Sequence, residues 1–225
     1  MTILPIAHFH SPFTSKFGIP KQSGLVTNIP GRIVFVPQWR NVDALRGIDG
    51  FDYLWLIWEF SANRHATSSP VVRPPRLGGN QSVGVFASRS PFRPNPLGLS
   101  AVRLQKVEWE SAEGPVLHVQ GADLMDGTPI YDVKPYVEYA DSHAGVRSGF
   151  VDTHQWQSLQ VVFPDELRSK IPTHLYDALF ETLSLDPRPA YQKDPQKVYG
   201  MPFGGYDVRF TVDGNILTVI EIVLL

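Results

Sequence analysis

Four arginines and five prolines crowd residues 73–96, RPPRLGGNQSVGVFASRSPFRPNP, with no acid among them. The bias extends further. No Asp or Glu occurs between Glu59 and Glu108, while Arg64, Arg73, Arg76, Arg89, Arg93, Arg103 and Lys106 all fall inside that interval. Acids make up roughly a tenth of an ordinary chain, so an interval of this length without one is unusual. The sign then reverses through Glu108, Glu110, Glu113, Asp123, Asp126, Asp132, Glu138 and Asp141. A guanidinium is a flat fork that matches phosphate oxygens and stacks on bases. Prolines stiffen the segment, so it loses less entropy on binding. Gly78 and Gly79 let a ligand approach the backbone closely. Together these features suit a bound polyanion. The plainer alternative is ordinary turn chemistry, with the arginines joined to the later acids as weak surface ion pairs.

The remaining composition narrows the chemistry. The 225-residue chain has a net charge of -2 and 43% hydrophobic residues, so it can build a real core and is not basic overall. Nucleic-acid binding must therefore come from local clustering. No cysteine is present, which removes disulfides and cysteine nucleophiles. The histidines, His8, His10, His65, His118, His143, His154 and His174, show no metal-ligand spacing, and no metal is expected. MTILPIAHFHSPF lacks a signal-peptide pattern, and ILTVIEIVLL is too short to span a bilayer and reads as a buried strand. A cytoplasmic protein without membrane attachment is expected.

The elements that must position these residues are mostly strands. Runs 32–37, 51–60, 82–87, 100–109, 115–122 and 128–136 are rich in β-branched and aromatic residues. Residues 41–48 read as a short helix capped by Asn41. After Pro172, Leu175, Ala178, Leu179, Thr182 and Leu183 share one helical face, with Thr173 as the expected N-cap and Asp186-Pro187 as the stop. Asp213-Gly214 signals a hairpin between strands 206–212 and 215–225. Strands following strands argue against a doubly wound sheet, and no G-x-G-x-x-G follows a strand. The expected fold is mainly β: a small β-barrel over residues 1–140, a connecting segment over 141–163, and a small α+β part over 164–225.

With those residues in view, the chain resembles the TsaA/TrmO-like family, barrel-type tRNA adenosine N6-methyltransferases that use S-adenosylmethionine. The resembling blocks are FHSPFTSKFGIPKQSGLV (9–26), ALRGIDGFDYLWLIWEF (44–60), VRPPRLGGNQSVGVFASRSPFRPNPLGLS (72–100), DLMDGTPIYDVKPY (123–136) and LDPRPAYQ (185–192). The resemblance implies a β-barrel with an α+β extension and a homodimer with cofactor near the subunit contact. It also implies methylation at N6 of threonylcarbamoyl-adenosine next to the anticodon of threonine tRNA.

Residue by residue, it implies a cofactor site from Lys21, Gln22, Ser23, Ser61, Ala62, Arg89, Leu99, Gly127, Thr128, Pro129 and Ile130. Lys21 stands where the family commonly has arginine and Ser23 where it has proline; Ser61 and Ala62 also depart from the pattern. Arg73, Arg76 and Arg93 would meet RNA phosphates or loop bases, Asn95 and Lys134 the modified base, and Tyr191 would stack. Trp55 and Trp58 read as packing residues.

Methyl transfer from a sulfonium needs in-line alignment and exclusion of water. The N6 of a carbamoylated adenosine is amide-like, so a base that draws off its proton would help. Asp126 is the first candidate, with Tyr131 and Asp132 behind it. Two other readings stand beside this one: a non-catalytic RNA-binding β-barrel, and a small-molecule hydrolase built on the acids at 123–132. The second lacks a G-x-S-x-G signature.

Overall fold

The structure, a computed structural model, describes residues 2–63, 69–79, 81–153, 157–189, 192 and 194–225. Twelve strands are present among them: β1 Ala7–His10, β2 Pro30–Phe35, β3 Tyr53–Glu59, β4 Val71–Val72, β5 Val83–Gly84, β6 Leu97–Glu108, β7 Val116–Gln120, β8 Thr128–Pro135, β9 Gln160–Val162, β10 Tyr199–Phe203, β11 Tyr206–Asp213 and β12 Ile216–Leu224. Six of them close into a barrel in the order β1-β2-β7-β6-β3-β8, with β8 returning to pair with β1. The mainly β expectation and the barrel are both met. Alternation along the strands fills the interior. Phe9, Ile33, Leu54, Leu56, Val102, Leu117 and Ile130 point inward, while His8 lies exposed on the outer face of β1 and His10 is half-buried beside it. Trp58 also turns inward, whereas Trp55 packs on Tyr136 with ring centroids 5.6 Å apart. Gly98 is required opposite Trp58, since an added Cβ would sit 2.2 Å from the indole.

The second unit is a four-stranded sheet, β10-β11-β12-β9, backed by the helix Thr173–Ser184. Leu175, Ala178, Leu179, Thr182 and Leu183 are all buried on that helix, the face expected from their spacing. Its cap differs from expectation. Thr173 is the first helical residue and Pro172 the cap, without a side-chain bond, because the ring already fixes φ at -54° and its carbonyl accepts from Leu175 N–H at 2.9 Å. The β11–β12 hairpin turns at Gly214, where φ is +56°, as the sequence signals. The C-terminal run is buried on one face only. Leu217, Val219 and Ile222 enter the core, but Leu224 is 73% exposed.

Two other expectations change locally. The helix expected at 41–48 resolves into separate 3-10 turns, Val42–Leu45 and Ile48–Gly50, because Gly47 adopts φ +85° between them; Asn41 does cap the first, accepting from Asp43 N–H at 2.9 Å. The strand expected at 82–87 shrinks to β5 and a 3-10 turn at Val85–Ala87. Its partner β4 is only two residues long and runs into Pro74-Pro75, and proline cannot extend a ladder.

Residues 11–29 join the two units. Phe13, Val26 and Ile29 are buried among the helix and sheet residues of the second core, although they lie between barrel strands β1 and β2. Phe13 meets Phe203 edge-on at 5.2 Å, Gly204 N–H donates to the Pro12 carbonyl at 2.8 Å, and Glu181 accepts from Thr27 N–H and from Asn28. This strap therefore belongs in sequence to the barrel half and in packing to both.

Candidate functional site

Strand register brings the critical segments to one end of the barrel. The end of β1, the start of β2, the end of β3, the start of β6, the end of β7 and the start of β8 lie there together. The chain leaves the barrel at Glu59 and re-enters at Leu97, so the whole acid-free insertion hangs from this mouth. The strap is pinned over the same mouth. Gly24 N–H donates to the Gly121 carbonyl at 2.9 Å, Asp126 N–H to Phe13 at 2.8 Å, and Gly127 N–H to Phe9 at 2.8 Å. Lys16 reaches Ala62 O at 3.0 Å and Asn63 at 2.9 Å, tying the strap to the turn that carries Ser61 and Ala62.

Within this frame Gln22 Oε1 accepts from the Arg89 guanidinium, joining two segments that are 67 positions apart. Arg89 also lies near Asp123, on the connection between β7 and β8. Asp123 Oδ1 accepts from Ser100 Oγ at 2.6 Å, and Ser100 Oγ accepts from the Trp58 indole N–H at 2.9 Å. Burial raises the Asp123 carboxyl above its ordinary range. The Ser100 hydroxyl, the N–H groups of Asp123 itself and Ser23, and the Arg89 charge oppose that rise. Lys21 is an exposed residue, yet protein crowds its ammonium, and this desolvation lowers its pKa against the pull of Asp186.

The Asp126 turn is built separately. Gly127 takes φ +75°, which glycine adopts without strain. Asp126 Oδ1 accepts from Ser11 N–H at 3.0 Å and lies 3.3 Å from His10 Nδ1. Among the described residues its Oδ2 carries no hydrogen bond, and the carboxylate is partly open to solvent. Thr128 bonds back to the Met125 carbonyl at 2.6 Å and is buried; Ile130 is wholly inside the barrel. Both support the turn from behind, leaving Gly127 and Pro129 as its accessible part. Tyr131 is held protonated by Glu59, whose hydrogen bond pushes the phenol up to about 12, so it is no base near neutral pH. Asp132 is engaged with Lys134 at 2.8 Å.

Other expected residues distribute unevenly. Leu99 is 58% exposed on the outer face of β6, across the pleat from Ser100, so its side chain does not join the Gln22–Arg89–Asp123 group. Lys134 pairs in register with Trp55, toward the far end of the barrel. Arg73 is exposed and Arg76 half-buried on the β4–β5 hairpin, and Asn95 is exposed just before β6. Arg93 stabilises its own loop: Nη1 donates to the carbonyls of Val85 at 3.2 Å and Ser88 at 2.7 Å, and the guanidinium lies 6.0 Å from the exposed Phe86 ring. Tyr191 and Arg64 lie outside the described residues. Among the described residues, no ion pair within 4.0 Å joins Arg73, Arg89, Arg93 or Arg103 to a carboxylate. The acids at 108–141 pair elsewhere, as in Arg32–Glu113 and His118–Glu108, so the surface-pair reading of the acid-free interval fails for these arginines. Among the described residues no group of acidic and histidine side chains is placed to hold a metal, and no helix is long and apolar enough to cross a membrane.

Asp123 and Ser100 are the site residues that motif reading passes over. The only sequence signal is Asp123 as the first acid of DLMDGTPIYDVKPY, and a single carboxylate does not reveal that it will be buried.

The architecture matches solved structures. One crystal structure of TrmO from Pseudomonas aeruginosa superimposes with a TM-score of 0.78 at 28% identity, covering 99% of this chain and 98% of that one. Among curated relatives, the Escherichia coli (strain K12) tRNA (adenine(37)-N6)-methyltransferase is 36% identical over 215 residues, 92% of this chain and 91% of its own length. A Pseudomonas aeruginosa protein provisionally named S-adenosylmethionine-dependent methyltransferase RcsF is 37% identical over 217 residues, 93% of this chain and 91% of its own. Fold and relatives thus define a methyltransferase of the β-barrel class, distinct from the doubly wound dinucleotide-type folds. The model of the tRNA-methyltransferase O N-terminal domain matches residues 8–142 and that of the TrmO C-terminal domain residues 156–224. The chain belongs to the TrmO family.

Proposed function

We propose that this enzyme transfers the methyl group of S-adenosylmethionine to N6 of adenosine 37 in tRNA, and that its substrate nucleoside is the threonylcarbamoyl-adenosine of threonine tRNA. One observation carries the reading of the site. The arginine-bearing insertion and the Asp126 turn open on the same barrel mouth, with the Gln22–Arg89–Asp123 group between strap and barrel.

The donor set fits the cofactor. S-adenosylmethionine supplies the electrophilic methyl carbon. Arg89 and Gln22 offer a cation and an amide to its amino-acid end. The backbone of Lys21–Ser23, the turn Ser61-Ala62 and the stretch Gly127–Pro129 offer hydrogen bonds and a narrow slot. Thr128 and Ile130 hold that slot rigid from inside the barrel. Leu99 faces outward, where a second copy of the chain in a homodimer would close over it.

On the RNA side, Arg73 and Arg76 meet phosphates, Asn95 meets the modified nucleotide, Tyr191 stacks, and Arg93 keeps the loop in shape, whereas Lys134, paired with Asp132 toward the far end of the barrel, takes no part. Asp126 Oδ2 accepts the N6 proton as methyl transfer proceeds, while Oδ1 stays fixed by Ser11. A tRNA substrate fits a cytoplasmic location.

The test is methylation with deuterium-labelled S-adenosylmethionine, followed by nucleoside mass spectrometry. Labelled N6-methyl threonylcarbamoyl-adenosine should appear from modified threonine tRNA and not from the unmodified transcript. Equal labelling of both would discard the finer specificity, and no labelling of any tRNA would discard the function. The tRNA affinity should fall steeply with salt, and Arg73→Ala should flatten the log–log slope by about one. A salt-independent affinity would remove the insertion from the RNA interface.

A further inference from the structure

Asp123 is a partly buried carboxylate that the proposed chemistry leaves unused. It sits where three chain segments meet at the barrel mouth. From β6, Ser100 Oγ donates to its Oδ1 at 2.6 Å. From the strap, the Ser23 N–H lies against the same carboxylate. From the insertion, Arg89 brings its positive charge while its Nη1 holds Gln22. The next strap residue is fixed as well, through the bond from Gly24 N–H to Gly121 O at 2.9 Å. Behind Ser100, the Trp58 indole N–H donates to one of the hydroxyl's two lone pairs at 2.9 Å, while the hydroxyl hydrogen goes to Asp123. Trp58 is itself locked by the close approach of Gly98.

We infer that Asp123 is the positioning residue of the cofactor site. Through Ser100, Ser23 and Arg89 it fixes the strap and the insertion loop in one arrangement before S-adenosylmethionine arrives. The inference rests on the proposed placement of the cofactor at Gln22, Ser23 and Arg89. A carboxylate suits the task because it accepts from several donors at once and offsets a guanidinium in a sheltered place, which a neutral amide does only in part. It contacts no reacting atom. Its effect therefore falls on cofactor affinity rather than on the chemical step.

The experiment compares wild type, Asp123→Asn, Ser100→Ala and the double variant in the full chain. Calorimetry with S-adenosylhomocysteine gives cofactor affinity, steady-state kinetics give the two KM values and kcat, and thermal melting reports folding. Asp123→Asn should weaken cofactor binding and raise KM for S-adenosylmethionine by about 10–100-fold, the range for losing a charge-assisted interaction. Its kcat at saturating cofactor and its KM for tRNA should stay within about twofold of wild type, a split that general unfolding would not produce. Ser100→Ala should act in the same direction by about 3–10-fold, and the double variant should lose less than the product of the two. If Asp123→Asn melts too low to assay, Ser100→Ala alone decides the question by the same KM and kcat readings. Unchanged cofactor affinity, or loss confined to kcat, overturns the inference while the cofactor reading stands. A wild-type protein that gives no heat with S-adenosylhomocysteine overturns the reading and the inference together.

Discussion

Arg89→Ala should lower kcat/KM for S-adenosylmethionine about 100-fold or more, equivalent to roughly 3 kcal/mol of lost transition-state stabilisation. The substitution removes three things at once. Gln22 loses its partner, Asp123 loses the charge that offsets its burial, and the amino-acid end of the cofactor loses its cation. The loss at Asp123 is the smallest of the three, since the Ser100 hydroxyl and the N–H groups of Asp123 and Ser23 still face its carboxylate; the loss of the cation that meets the cofactor dominates. Arg89→Lys should recover only a minor part of the activity. An ammonium restores the charge but cannot hold Gln22 and meet a carboxylate with one flat fork. Kinetics with S-adenosylmethionine varied at fixed tRNA measure both variants. Wild-type values in Arg89→Ala would remove Arg89 from the cofactor site.

Phe13→Ala should be the most damaging core substitution for function and stability together. Phe13 is fully buried, packs edge-on against Phe203 and anchors the strap in the C-terminal core. Truncating a buried Phe costs about 3–5 kcal/mol, which for a chain of this size lowers Tm by roughly 10 °C. The strap also carries Lys21, Gln22 and Ser23, so cofactor affinity should fall in the same variant at temperatures where it remains folded. Thermal melting paired with calorimetry separates the two effects. Normal cofactor affinity in a destabilised Phe13→Ala would show that the strap holds its shape without its anchor. By contrast Phe180, exposed on the helix, should tolerate alanine with a much smaller drop in Tm.

Much of this is legible in the sequence, for physical reasons that differ by element. The helix Thr173–Ser184 was readable because its apolar face is set by local periodicity, which burial then used unchanged. The barrel strands were readable from β-branched and aromatic runs that must fill an interior. The 41–48 and 82–87 segments were not, because a single glycine at 47 and a proline pair at 74–75 outweigh apolar content. Strand β10 escaped because Gly200 and Pro202 argue against a strand; Pro202 is tolerated where no partner is needed on the free edge.

In the site, the arginine interval was visible as composition, whereas the lack of a carboxylate within 4.0 Å of Arg73, Arg89, Arg93 and Arg103 among the described residues is a tertiary fact. Arg93 shows the limit of reading charge alone, since it is bonded to its own loop. Asp123 shows the converse: it opens the 123–136 block without standing out in it, and gains its role only when β6, the strap and the insertion converge on it. Leu99 and Ser100, adjacent in sequence, point to opposite faces of β6, which a block of matching letters does not distinguish.

Hydrogen exchange with and without S-adenosylhomocysteine tests most directly whether these scattered segments form one cofactor site at the barrel mouth. Added ligand should slow exchange together in residues 21–24, 87–90, 97–100 and 121–128, with little change in strands β10 to β12. Slowing confined to the C-terminal sheet, or seen in only one of the four segments at saturating ligand, would contradict a shared cradle.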